Sequence, residues 1–191
     1  MKSLRTLLFI AVLSLSAMAF AQDQAAAARA AAGCGPNEVK FSVKTDKEQH
    51  PMAQPEPAKA IVYVFGGESF DLHGAVIGKD SVTTRWGVDG TWVGAGYRNS
   101  YFFFTVAPGD HRLCAGRQGF SKPSAARSFT AEAGKTYYFR TRTRHSDHDY
   151  SPGETELEPV DPAEAQLLIA DSPSTVFQRK ESKEPPDSSS D

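Results

Sequence analysis

Only two cysteines occur in this chain, Cys34 and Cys114, and they constrain its fold more than any other feature. Behind a leader that carries a protein into an oxidising compartment, a lone pair of cysteines reads as one disulfide. Such a bond makes spatial neighbours of CGPNEVKFSVK and PGDHRLC, two stretches far apart in the sequence. It speaks to a compartment and to one long-range contact, and it leaves activity open.

The leader is residues 1–21. Lys2 and Arg5 form its charged start, residues 7–20 its apolar run, and Ala19-Phe20-Ala21 the small-residue end that places cleavage before Gln22. The apolar run is shorter than the about 20 residues that cross a bilayer, and no later segment is apolar enough. The expected mature chain therefore has no transmembrane segment and resides in the periplasm or elsewhere in the envelope. Ala31-Ala32-Gly33-Cys34 has the form of a lipobox. A lipobox directly follows the apolar run, whereas here Gln22, Asp23, Gln24 and Arg29 intervene. The disulfide is the preferred reading of Cys34, and the two exclude each other because both need the same sulfur.

Removal of Lys2 and Arg5 with the leader leaves 19 basic against 23 acidic side chains, a net charge of −4. That balance argues against a nucleic-acid binder, which carries a basic footprint. Residues 22–35 form an alanine-rich linker, marginal as an isolated helix. Residues 173–191, ending KESKEPPDSSSD, are too polar to bury and are expected to be a disordered tail. Between them lies one domain, residues 36–172, with a loose proline-bearing stretch TDKEQHPMAQPEP near its start.

Most of the domain alternates with a period of two, the signature of half-buried strands. Val39, Phe41 and Val43 alternate with Lys40, Ser42 and Lys44, while AIVYVF is apolar on both faces and suits a central strand. Val82, Thr84, Trp86 and Val88 lead to Asp89-Gly90, and Thr91-Trp92-Val93 follows, a strong hairpin signal because a type I′ turn needs two positive φ angles. YFFFTV is expected to meet His111 and the residues up to Ala115 across a type II turn at Pro108-Gly109. A shorter strand at 126–130 and a long one at 136–145 follow. One helix is expected, capped by Asp161, opened by Pro162 and running to Ala170, with Leu167 and Leu168 turned inward. The sum is an all-β, two-sheet sandwich, immunoglobulin-like or transthyretin-like, with one short C-terminal helix.

The motifs Val62-Tyr63-Val64, Asp89-Gly90, Pro108-Gly109-Asp110-His111 and Gly134-Lys135-Thr136-Tyr137-Tyr138 occur in that order. The order resembles the bacterial domain-of-unknown-function family 2846 over residues 59–160, and the CGP start with its second cysteine resembles a narrower subgroup. The resemblance implies an exported or lipid-anchored protein with a β-sandwich-like core. It implies no reaction.

Candidate chemistry is sparse. His145-Ser146-Asp147-His148-Asp149 places two imidazoles three residues apart with carboxylates beside them, and His111 or His73 could complete a cation site. Polar residues of this kind are equally ordinary where a strand ends in a loop. Along the long strand Tyr137, Phe139, Thr141, Thr143 and His145 share one face, and Tyr138, Arg140, Arg142 and Arg144 the other. Three arginines in a row repel one another unless carboxylates face them, and Glu154, Glu156 and Glu158 on a following strand are the expected partners. An anionic ligand is the alternative. The aromatics of YFFFTV read as core, whereas Trp92, beside the turn, reads as the more exposed ring and, with Tyr97, as a surface for a sugar or a partner. Neither Ser69 nor Ser100 sits in a nucleophile elbow, and Gly134-Lys135-Thr136 lacks the upstream glycine of a phosphate loop.

The expectation is therefore a non-enzymatic exported binding or structural module without a cofactor, whose partner is an envelope protein or a cell-wall component. Metal-dependent activity at His145 and His148 and cell-wall sugar binding are the rivals.

Overall fold

The computed structural model describes residues 34–54, 56–67, 69–70, 76–77, 82–120, 125–144 and 154–180. The leader, most of the linker, His73, and the His145, Asp147 and His148 loop lie outside the described residues, as does 181–191.

Among the described residues twelve strands and one helix follow one another: β1 (Lys40–Asp46), β2 (Ala60–Phe65), β3 (Ser69–Phe70), β4 (Val76–Ile77), β5 (Thr84–Val88), β6 (Thr91–Gly96), β7 (Tyr101–Val106), β8 (Gly109–Arg117), β9 (Ala125–Ala131), β10 (Thr136–Arg144), β11 (Glu154–Pro159), α1 (Pro162–Asp171) and β12 (Ser174–Lys180). The larger sheet has the order β1-β12-β7-β2-β10-β3-β4, with β11 also hydrogen-bonded to β10. The smaller has the order β6-β5-β8-β9. This is the expected all-β sandwich.

Burial explains the layering. Every residue of AIVYVF is buried, because β2 lies between β7 and β10 and is covered on both faces. One face supplies Val62 and Val64 to the core between the sheets, with Trp86, Phe102, Leu113, Ala115 and Phe139. The other supplies Ile61, Tyr63 and Phe65 to a second core under α1, with Tyr101, Val160, Ala165 and Ile169. The same division splits YFFFTV, as its pattern predicts: Phe102 and Phe104 face the smaller sheet, Tyr101 and Phe103 the helix.

The Asp89-Gly90 hairpin joins β5 to β6, with φ of 50° and 78° at its two central residues. These positive angles are those of a type I′ turn. Asp161 caps α1 through its side chain, accepting from the N–H groups of Ala163 (2.8 Å) and Glu164 (3.4 Å).

Three expectations are corrected. First, β7 and β8 do not form a hairpin: β7 pairs with β2 and β12, β8 with β5 and β9, so the chain changes sheets at Pro108-Gly109. A strand that is apolar on both faces needs cover on both sides, which the middle of the larger sheet supplies and an outer hairpin does not. Second, 174–180 is strand β12, paired with β1 along its whole length from Lys40↔Lys180 to Asp46↔Ser174. The domain thus extends beyond residue 172, and Phe177 is the apolar residue that holds this segment, packed on Phe41 and Phe102. Third, α1 turns Ala165 and Ile169 inward, with Leu168 only half-buried and Leu167 exposed at 66%. Residues 165 and 169 share one helical face, and 167 lies about 200° from the first.

Candidate functional site

The stretch singled out by its cysteine, residues 34–43, folds over the outer face and open edge of the smaller sheet as a clasp. The disulfide Cys34–Cys114 joins it to β8, with the two Cα atoms 5.6 Å apart. Both cysteines are buried, beside Val39, Phe41, Val43, Trp92 and Ala95. The Cys34 sulfur is therefore in the bond and not on the surface where a lipid would need it.

Trp92 lies under this clasp. Its exposure is 5%, its indole Nε1–H donates to the Pro36 carbonyl at 2.8 Å, and Gly35 sits directly on the ring. A Cβ at Gly35 would fall 2.7 Å from Trp92 Cδ1, and the φ there is +135°, so glycine is needed on both counts. The expectation of an exposed Trp92 able to stack on a sugar is corrected. The covering segment comes from more than fifty residues upstream, and spacing around a turn carries no trace of it.

The residue that sequence reasoning missed is Arg85. Its side chain is 1% exposed, and its guanidinium lies over the Trp92 ring at 4.2 Å from the centroid. Nη1 donates to the carbonyls of Val39 (2.8 Å) and Asn37 (3.2 Å), and Nη2 donates to that of Phe120 (3.1 Å). Burial pushes its pKa below the ordinary arginine value. A buried charge normally demands a carboxylate; here three backbone carbonyls and an aromatic face serve instead. The planar fork of the guanidinium spreads its donors over two nitrogens and so reaches all three carbonyls. Among the described residues its Nε, like the indole nitrogen of neighbouring Trp86, has no partner. Alternation at Thr84, Trp86 and Val88 places Arg85 on the other face of β5, and nothing local signals that this face is covered.

Side chains also close the open edge of β1. Gln118 mimics a neighbouring strand at Phe41, accepting from its N–H (2.6 Å) and donating to its carbonyl (3.2 Å). The Tyr97 hydroxyl donates to the Val43 carbonyl at 3.2 Å. With Arg85 on Val39, the carbonyls of residues 39, 41 and 43 and the Phe41 N–H meet side chains from β5 and from the residues that follow β6 and β8. An edge strand that would otherwise invite pairing is thereby blocked.

The arginine face of β10 meets its expected partners. Arg140, Arg142 and Arg144 stand opposite Glu158, Glu156 and Glu154 in register. Arg140 bonds Glu158 (3.3 Å) and Glu164 of α1 (2.6 Å), and Arg142 lies 3.6 Å from Glu158. Arg140 and Arg142 are thus met by carboxylates from within the chain, with Arg140 tying the helix to the sheet.

His111, a candidate cation ligand, is engaged at both ring nitrogens: Nδ1 lies 2.6 Å from Asp89 and Nε2 2.7 Å from the Ala107 carbonyl. Both contacts are made within the chain, to the Asp89 carboxylate and the Ala107 carbonyl. Asp89 also accepts from the Arg112 N–H at 2.9 Å, which locks the hairpin turn to the corner where the chain changes sheets. Among the described residues no group of three or more potential ligands gathers, and no helix is long and apolar enough to cross a membrane.

No family model, no curated protein and no solved structure matches the chain.

Proposed function

We propose that this chain is an exported β-sandwich module of the bacterial envelope, of the kind its resemblance to family 2846 implies, acting by binding or by holding structure instead of by turning over a substrate. The observation that carries this reading is the buried Cys34–Cys114 bond. Bonds of this kind persist in oxidising compartments and are rare where thiols are kept reduced. The side chains most suited to chemistry support it too, because each serves the fold: Trp92 and Arg85 hold the clasp, Arg140 holds the helix, and His111 holds a corner.

The test is intact-mass spectrometry of the protein recovered from the envelope fraction, before and after reduction. A chain beginning at Gln22 that gains about 2 Da on reduction supports the reading. An acylated chain beginning at Cys34, or recovery with both thiols free from the cytoplasm, overturns it.

A further inference from the structure

Two antiparallel ladders on this molecule treat charge in opposite ways. Along β10 and β11 every arginine faces a glutamate. Along β1 and β12 the register sets Lys40 opposite Lys180, Ser42 opposite Gln178 and Lys44 opposite Val176. All six of these side chains are exposed, while the alternate residues Phe41, Val43 and Phe177 turn to the core. Like charges placed directly opposite on neighbouring strands destabilise the pair. Among the described residues no carboxylate pairs with Lys40, Lys44 or Lys180. The acidic residue on this face, Asp46, lies at its far end opposite Ser174 and accepts from the N–H groups of Glu48 (2.8 Å) and Gln49 (3.1 Å).

The same side of the larger sheet is covered elsewhere. Ser174 stands opposite both Asp46 and Tyr101, and Tyr101 belongs to the core under α1. The lysine face is thus the uncovered continuation of the face that α1 closes over β7 and β2. It is a two-stranded sheet surface with Val176 exposed at 57% between its cations.

We propose that this face of β1 and β12 docks on the anionic headgroup surface of a phospholipid membrane, with Lys40, Lys44 and Lys180 on the phosphates and Val176 at the interface. Lys40 and Lys44 are four residues apart on one strand, about 13 Å, too far for one small anion to bridge and well suited to a plane of separate charges. An exposed valine among the lysines favours an interface with apolar depth over a soluble polyanion. The chain is acidic overall, so attraction to such a surface has to come from a local cluster of cations, which this face supplies. The inference rests on the export reading, since it needs a membrane facing the compartment in which the disulfide forms.

The experiment is co-sedimentation of the disulfide-intact mature protein with vesicles, one set pure phosphatidylcholine and one containing phosphatidylglycerol, at low salt. Binding to the anionic vesicles alone, weakened by added salt, is expected. Each lysine near such a surface is worth about fivefold in partitioning, so Lys40→Gln with Lys180→Gln lowers binding about 25-fold. That variant removes a like-charge pair and leaves the core untouched, so its thermal midpoint does not fall. Lys135→Gln, remote on the turn before β10, leaves binding unchanged. Equal binding to both vesicle types, no binding, or full binding by the double variant overturns the proposal. So does capture by soluble polyphosphate as strong as by vesicles. Each of those failures leaves the intact-mass result standing, so loss of the membrane inference is distinguishable from loss of the export reading.

Discussion

The two sheets of this sandwich each need an outer cover, and the chain supplies it by opposite physical means. Over the larger sheet lies α1, an amphipathic helix with a capped start whose Ala165 and Ile169 sit on Ile61, Tyr63, Phe65 and Tyr101. Over the smaller sheet lies the clasp, irregular as far as Val39 and held by a covalent bond, a buried guanidinium and the Trp92 indole. A helix satisfies its own backbone and can be held by apolar area alone. An irregular segment cannot, so each of its buried carbonyls must find a donor elsewhere. Arg85 supplies donors to two of them, on Asn37 and Val39, and Trp92 to a third, on Pro36. The cover that begins as an irregular segment is therefore the one that depends on single residues and on redox state.

That contrast can be broken most forcefully at the disulfide. Closing a loop of this size removes about 4 kcal/mol of unfolded-state entropy in the chain-entropy account, across a sequence separation of 80 residues. Reduction, or Cys34→Ser with Cys114→Ser, should lower chemical-denaturation stability by about that amount. Amide exchange should then quicken first in 34–43, while α1 keeps its protection; the reverse order would sink the distinction between the covers.

Next is Arg85→Ala, which strands the carbonyls of Asn37, Val39 and Phe120 and should cost roughly 3 kcal/mol. Arg85→Lys should restore little, because one ammonium lacks the fork. Urea denaturation of the three proteins, followed by Trp fluorescence, reads this directly; a lysine variant as stable as wild type would show that charge alone suffices.

On the helix side, Ile169→Ala should cost at least about 2 kcal/mol by leaving a cavity, and reduction of the disulfide should add to that loss independently, as distant sites do. The same layer predicts an alkaline limit. Burial, and then neighbouring Tyr63, push the Tyr101 phenol up to about 12 from 10.0, and burial raises Tyr63 as well. The native state then holds protons that the unfolded chain releases, so this contribution is complete below pH 10 and is lost as pH rises towards 12. Denaturation midpoints measured across that window should fall, and Tyr101→Phe should flatten the fall.

The smallest effect belongs to the cap: Asp161→Ala should cost about 1 kcal/mol and leave the clasp unchanged in amide exchange.

Local patterns in the sequence carried much of this architecture. Alternation at Val39, Phe41 and Val43 marked β1, two positive-φ residues marked the β5–β6 turn, and Asp161-Pro162 marked the start of α1. Even the glutamate partners of the β10 arginines were legible, because a cationic row on a strand face has few stable solutions. Where the pattern misled, the missing information was long-range. YFFFTV and the segment after it read as a hairpin because the Pro-Gly turn is local, yet burial on both faces sent the two strands to different sheets. The polar composition of 174–180 read as a tail because one phenylalanine, Phe177, carries its anchoring.

By itself, then, the sequence determined the class of fold, the positions of most strands, and the pairing of its only two cysteines. Those properties follow from period, turn chemistry and count, which are local or need no geometry. Only the tertiary structure decided what lies over Trp92, that Arg85 is buried with carbonyl partners, and that Lys40 faces Lys180 on an uncovered sheet face. Each of these depends on which distant segments share a register or a layer, and burial and exposure are properties of that assembly, not of any residue within it.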